Sequence, residues 1–134
     1  MSEEKKIRIL LAKVGCDIHE RGALTLLNVF RDAGMEVIYT GRYQTEEAIA
    51  KAAVAEDADL IAITDLTGSL PIITRKVIAA LKKLNAEDIP VIAGGLITNE
   101  DAEVMTAMGV KGCFGTGSHT DIIVEHIQKL VGGK

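Results

Sequence analysis

Five short apolar runs alternate with five helix-patterned stretches along nearly the whole chain, and this alternation constrains the fold more than any other feature. The runs span residues 7–12, 36–39, 60–64, 90–93 and 112–114. They are brief and rich in Ile, Val, Leu and Ala, as strands covered on both faces are. The first helical stretch carries Ala23, Leu26, Leu27 and Phe30 on one face and reaches Gly34, a good capping position. The second opens at Thr45, with Glu46 and Glu47 suited to a helix N-terminus and Ile49, Ala52 and Ala53 on its inner face. The third has Pro71 in its first turn and an apolar face of Ile73, Val77, Leu81 and Leu84. The fourth covers 99–108 and stops at Gly109. The fifth starts near Ser118, with Asp121 completing a capping arrangement and Ile123, Ile127 and Leu130 as its stripe.

Strand–helix alternation of this kind folds into a parallel sheet with helices on both faces. Right-handed crossovers leave few strand orders. The expected one is flavodoxin-like: an α/β domain with a five-stranded parallel sheet in order 2-1-3-4-5. Its switch point lies between the first and third strands, and ligands bind there at the carboxyl edge. Residues 1–134 read as one domain, with no linker, repeat or low-complexity segment. Aromatic residues make up only 3% of the chain, so the core must be aliphatic.

Charge and composition exclude several functions. The net charge is −4, and no basic patch or interleaved aromatics suggest nucleic acid. No apolar run approaches a membrane span, and residues 1–6 lack an apolar signal region. A cytoplasmic protein is expected. Cys16 and Cys113 fall at strands three positions apart, roughly 14 Å, too far for a disulfide, so both are expected as free thiols.

The loops at the carboxyl edge carry the unusual residues. Lys13-Val14-Gly15-Cys16-Asp17-Ile18-His19-Glu20-Arg21-Gly22 follows the first strand. A neutral imidazole in such a loop is a good metal ligand, and a carboxylate on its other nitrogen fixes the tautomer. Thr64-Asp65-Leu66-Thr67-Gly68 follows the third strand, Gly94-Gly95 the fourth, and Gly115-Thr116-Gly117-Ser118 the fifth. Glycines let a bulky ligand approach the backbone. Together the loops outline a long groove with a metal ligand at one end, better suited to an extended cofactor than to a mononucleotide.

This pattern resembles the cobalamin-binding family's Asp-x-His-x-x-Gly, Ser-x-Leu and Gly-Gly signature. Here it reads Asp17-Ile18-His19-Glu20-Arg21-Gly22, Thr64-Asp65-Leu66 and Gly94-Gly95, with residues 23–63 and 67–93 between the motifs. Lys13-Val14-Gly15, Tyr39-Thr40-Gly41 and Phe114-Gly115-Thr116-Gly117 resemble its acyl-CoA mutase branch, typified by methylmalonyl-CoA mutase. The resemblance implies that His19 binds the cobalt of adenosylcobalamin in place of the cofactor's own benzimidazole. Asp17 would hold the other imidazole nitrogen, and Lys13 would pair with Asp17. Ile18, Arg21 and Gly22 belong to the same cofactor-binding motif. The displaced nucleotide tail would lie between the first and third strands, against Thr64 and Leu66. Gly68, Gly94 and Gly95 would let it pass, and Phe114, Gly115 and Ser118 would sit near its buried end. The chain departs from the branch at Ile18, where glycine is usual, at Asp65, where a small or apolar residue is usual, and at Leu70, near a frequent histidine.

The implied function is the cofactor-binding small subunit of an acyl-CoA mutase, an isomerase inactive alone. A separate large catalytic subunit, a TIM barrel by resemblance, would bind the acyl-CoA. Three other readings compete. A methyl-carrying cobalamin protein usually has a helical cap ahead of this domain, whereas the first strand here begins near Ile7. A degenerate relative would keep the fold without the cofactor. A phosphoacceptor receiver would use Asp65 and Asp17, but needs an acidic pair after the first strand and a lysine after the fifth. Cys16, His19 and His119 make only half a zinc site. His119 and His126 are both expected to be solvated.

Overall fold

The computed structural model describes residues 6–13, 21–40 and 45–131. Among them the elements run β1 (Arg8–Ala12), α1 (Arg21–Asp32), β2 (Glu36–Tyr39), α2 (Glu46–Ala55), β3 (Leu60–Asp65), α3 (Leu70–Lys83), β4 (Val91–Gly95), α4 (Asn99–Met108), β5 (Cys113–Gly115) and α5 (Thr120–Val131). The strands form one sheet in the order β2-β1-β3-β4-β5, every pair parallel, as the alternation predicts.

Strand alternation sorts the core into two layers. Leu10, Ala12, Ile61, Ile63, Val91 and Ala93 face α2, α3 and α4, where Ile49, Ala53, Val77, Leu81 and Met105 meet them. Ile9, Leu11, Leu60, Ala62 and Ile92 face α1 and α5, against Ala23, Phe30, Ile123 and Ile127. Each fully buried Leu, Ile or Phe side chain contributes about 1.5–3 kcal/mol of transfer free energy, which makes this double layer the main source of stability.

Three strands run past the ends read from apolarity. Asp65 pairs with Gly95, and Gly95 with Gly115, so β3, β4 and β5 each reach beyond residues 64, 93 and 114. Ladder pairing uses only backbone groups, so it continues where the apolar pattern stops. The C-terminal ends of α1 to α4 share one device. Met35, Ala58, Ala86 and Val110 donate their N–H groups back to Phe30, Ala53, Leu81 and Met105, around left-handed residues Gly34, Asp57, Asn85 and Gly109. At α4, Thr98 and Asp101 form a reciprocal capping box. The cap expected from Ser118 and Asp121 does not form. The Ser118 hydroxyl donates to the Gly115 carbonyl at 2.8 Å, and α5 begins two residues later.

Candidate functional site

One row of residues crosses the carboxyl edge of the sheet on the α1/α5 face. Thr64 pairs with Gly94, and Gly94 with Phe114. Ala12 pairs with Ile63, which brings Lys13 level with Thr64. On this face the side chains near the edge are smaller than those further in: Ala62 and Thr64 follow Leu60 on β3, and Gly94 follows Ile92 on β4. The taper leaves a cavity of about 450 Å³ between α1 and α5. Its walls are mostly apolar, with Leu26 and Phe30 of α1 on one side and Ile123 of α5 on the other. A cavity of this size and character suits an organic cofactor segment.

Two polar side chains reach its floor. Lys13 is 1% exposed and is engaged in an interaction. Thr64 is 9% exposed, and its Oγ1 is buried with no hydrogen-bond partner among the described residues. A buried hydroxyl left without a partner costs about 1–3 kcal/mol, so its persistence points to a partner that arrives with a ligand.

The paired glycines have different physical reasons. A Cβ on Gly95 would lie 2.0 Å from the Asp65 carbonyl oxygen, and its φ is +131°. The packing of β4 against β3 therefore demands glycine there, whatever binds. A Cβ on Gly94 would sit 3.4 Å from the Phe114 carbonyl oxygen, which the chain can accommodate. At Gly94 the missing side chain serves to open the floor between Thr64 and Phe114.

Asp65 is 1% exposed, and its carboxylate accepts from three local donors. It accepts from the Thr67 hydroxyl at 2.8 Å and from the Thr67 and Ser69 backbone N–H groups at 3.1 Å. The acid closes the turn into α3, an arrangement unlike an open phosphoacceptor.

The structure brings most of the expected residues together. Lys13, Gly22, Thr64 and Leu66 border the cavity from the β1 and β3 side. Gly94, Gly95, Phe114, Gly115 and Ser118 border it from the β4 and β5 side. Gly68 stands apart: it turns the chain before α3 at φ +88° and is not a cavity residue. Arg21 opens α1. Asp17, Ile18, His19 and Cys16 lie outside the described residues. Ala23, Leu26, Phe30, Ala62 and Ile123 also border the cavity, although apolar periodicity reads them as core alone. The size taper along β3 and β4 is the signal that could have found them.

Two side chains differ from expectation or add to it. His126 is half-buried rather than solvated, with Nε2 2.6 Å from the Lys111 carbonyl oxygen and its ring edge-to-face with Phe114. His119 is exposed, as expected. Cys113 is a free thiol whose pKa burial pushes up, partly offset by the Thr106 side chain.

A flavodoxin-like sheet with a glycine-floored, apolar groove between two helices at its carboxyl edge has the shape of a cofactor-binding domain. Residues 7–124 match the B12 binding domain family, and the chain belongs to that family. It is 36% identical over 132 residues to the 2-hydroxyisobutanoyl-CoA mutase small subunit of Aquincola tertiaricarbonis, covering 98% of this chain and 97% of that one. It is also 36% identical over 126 residues to the pivalyl-CoA mutase small subunit of Xanthobacter autotrophicus, covering 94% of this chain and 84% of that one. Among solved structures, a cobalamin-binding protein from Desulfitobacterium hafniense superposes with a TM-score of 0.81 at 25% identity, over 96% of this chain and 60% of that one. No helix among the described residues is long and apolar enough to cross a membrane.

Proposed function

We propose that residues 1–134 form the cobalamin-binding small subunit of an adenosylcobalamin-dependent acyl-CoA mutase, acting in the cytoplasm with a large catalytic subunit of TIM-barrel type. The observation that carries this is the orphaned Thr64 hydroxyl at the floor of an apolar groove in a B12-binding domain. A flat benzimidazole and its sugar-phosphate match that mixture of apolar walls and a few buried polar groups. Thr64 would hold the nucleotide tail through its free hydroxyl, beside Leu66, Gly94, Gly95 and Phe114. By the family pattern, His19 would ligate the cobalt, Asp17 would hold the other imidazole nitrogen, and Lys13 would pair with Asp17. When bound, adenosylcobalamin supplies a carbon radical by homolysis of its cobalt–carbon bond.

Enclosure is the argument for a partner. A radical must be shielded from water. One sheet edge can seat a single face of a flat macrocycle and leaves the other open. Leu66 and Leu96 are exposed at that edge, as expected of a surface that a partner covers. The two small-subunit relatives have equal identity and are named for different acyl-CoAs. Substrate choice is accordingly assigned to the large subunit.

Two measurements test the proposal. The purified chain is mixed with adenosylcobalamin and an acyl-CoA mutase large subunit, and branched and linear acyl-CoAs are assayed for isomerisation. Turnover should require all components, and turnover without the partner would refute the subunit assignment. In the Co(II) state, electron paramagnetic resonance should show nitrogen hyperfine structure that changes when histidine carries nitrogen-15. The same spectrum in His19→Ala would rule out His19 as the ligand.

A further inference from the structure

We propose that His126 is a positioning residue for the cofactor groove: it holds Phe114 in place and so sets the width of the groove's β5 end. This inference rests on the reading that the groove receives the nucleotide tail of cobalamin.

Phe114 sits on a three-residue strand at the edge of the sheet, with β4 as its one sheet neighbour. So short an edge strand supplies little to fix an aromatic ring from its outer side. His126 supplies that support from α5. Its ring meets Phe114 edge-to-face, with centroids 5.4 Å apart and planes at 73°. The same ring is anchored at its far end, where Nε2 lies 2.6 Å from the Lys111 carbonyl oxygen. A carbonyl can only accept, so Nε2 carries the proton and donates it. Lys111 in turn donates its N–H to the Val91 carbonyl at 2.8 Å, which ties this anchor to β4.

Gly112 completes the arrangement. A Cβ there would fall 2.8 Å from His126 Nε2 and 3.0 Å from Phe114 Cε2. The two rings thus close over a backbone position that has no room for a side chain. A ring that both packs on its edge or face and donates from one atom is what the site requires. An aliphatic residue cannot donate, and phenylalanine cannot either.

The test separates tail recognition from general stability by comparing two probes. Adenosylcobinamide has the corrin and the upper ligand but lacks the nucleotide tail. The ratio of its dissociation constant to that of adenosylcobalamin therefore measures what the tail contributes. In the native chain the ratio should be well above one. His126→Ala should lower it about fivefold to tenfold, the scale of one edge-to-face aromatic contact, with little change in adenosylcobinamide binding. Phe114→Ala should lower it similarly, and the double variant no further than Phe114→Ala alone. Gly112→Ala keeps both rings and pushes them apart, so it should move the ratio the same way. It also serves as the probe if His126→Ala does not fold. An unchanged ratio in the foldable variants, or a full His126 effect in the Phe114→Ala background, would overturn the positioning role. A native ratio of one would overturn the tail-groove reading itself, and with it this inference.

Discussion

The Thr64 hydroxyl is buried at the groove floor without a partner among the described residues, and this makes it a sensitive reporter. Thr64→Val keeps the shape and removes the unsatisfied group. Without cofactor, the variant should be as stable as the native chain or up to about 1 kcal/mol more stable in urea denaturation. Its affinity for adenosylcobalamin should fall by about tenfold, the equivalent of one lost hydrogen bond of roughly 1.4 kcal/mol. A loss of stability with no loss of affinity would show that the hydroxyl serves the fold instead. The neighbouring glycines should separate in the same pair of measurements. Gly95→Ala puts a methyl 2.0 Å from a backbone oxygen at a positive φ, so it should destabilise the chain by about 3 kcal/mol or more. Gly94→Ala meets only ordinary contact, so it should cost less than about 1 kcal/mol and act mainly on cofactor affinity. In the sequence the two glycines form one motif with one purpose. Only the contact between β4 and the Asp65 carbonyl separates them.

At the scale of elements, the turn from β3 into α3 shows how a residue that departs from a family pattern can acquire a local role. Asp65 reads as a misplaced acid in the sequence. In the fold it accepts from the Thr67 and Ser69 backbone N–H groups and caps the approach to a helix whose N-cap Ser69 makes no side-chain capping bond. Asp65→Ala should lower stability by about 1–2 kcal/mol in urea denaturation, because it leaves those part-buried backbone donors without this acceptor. Burial and the three local donors together disfavour attack by the carboxylate on a phosphoryl group. Incubation with acetyl phosphate should therefore leave the mass of the native chain unchanged, and a phosphorylated Asp65 would restore the receiver reading. Helix ends were legible only where glycine marked them. Gly34 and Gly109 announce a left-handed cap, whereas Asp57 and Asn85 adopt the same conformation without such a marker. Ser118 and Asp121 have the spacing of a capping box, but the nearby Gly115 carbonyl takes the serine hydroxyl.

At the scale of the whole molecule, the groove is a gap in one of two core layers, so filling it should stabilise the entire domain. Adenosylcobalamin at 100 times its dissociation constant should add about 2.7 kcal/mol by mass action. That corresponds to a rise of roughly 10 °C in melting temperature by calorimetry. No shift would show that the folded chain binds no cofactor. The class of fold, the strand order and the edge of the sheet where the cavity lies were legible in the sequence. Those depend on short-range periodicity and on crossover handedness, which the chain carries locally. The sequence also placed Thr64, Gly94 and Phe114 in the candidate site through their loops and motifs. The tertiary structure alone decided that these three residues stand in one row, because register depends on pairing between strands distant in sequence. It alone decided that α1 and α5 wall the groove, and that His126 backs Phe114. A residue's periodicity reports which face it lies on. Whether that face meets a packed neighbour or a gap depends on the sizes of side chains that only folding brings together.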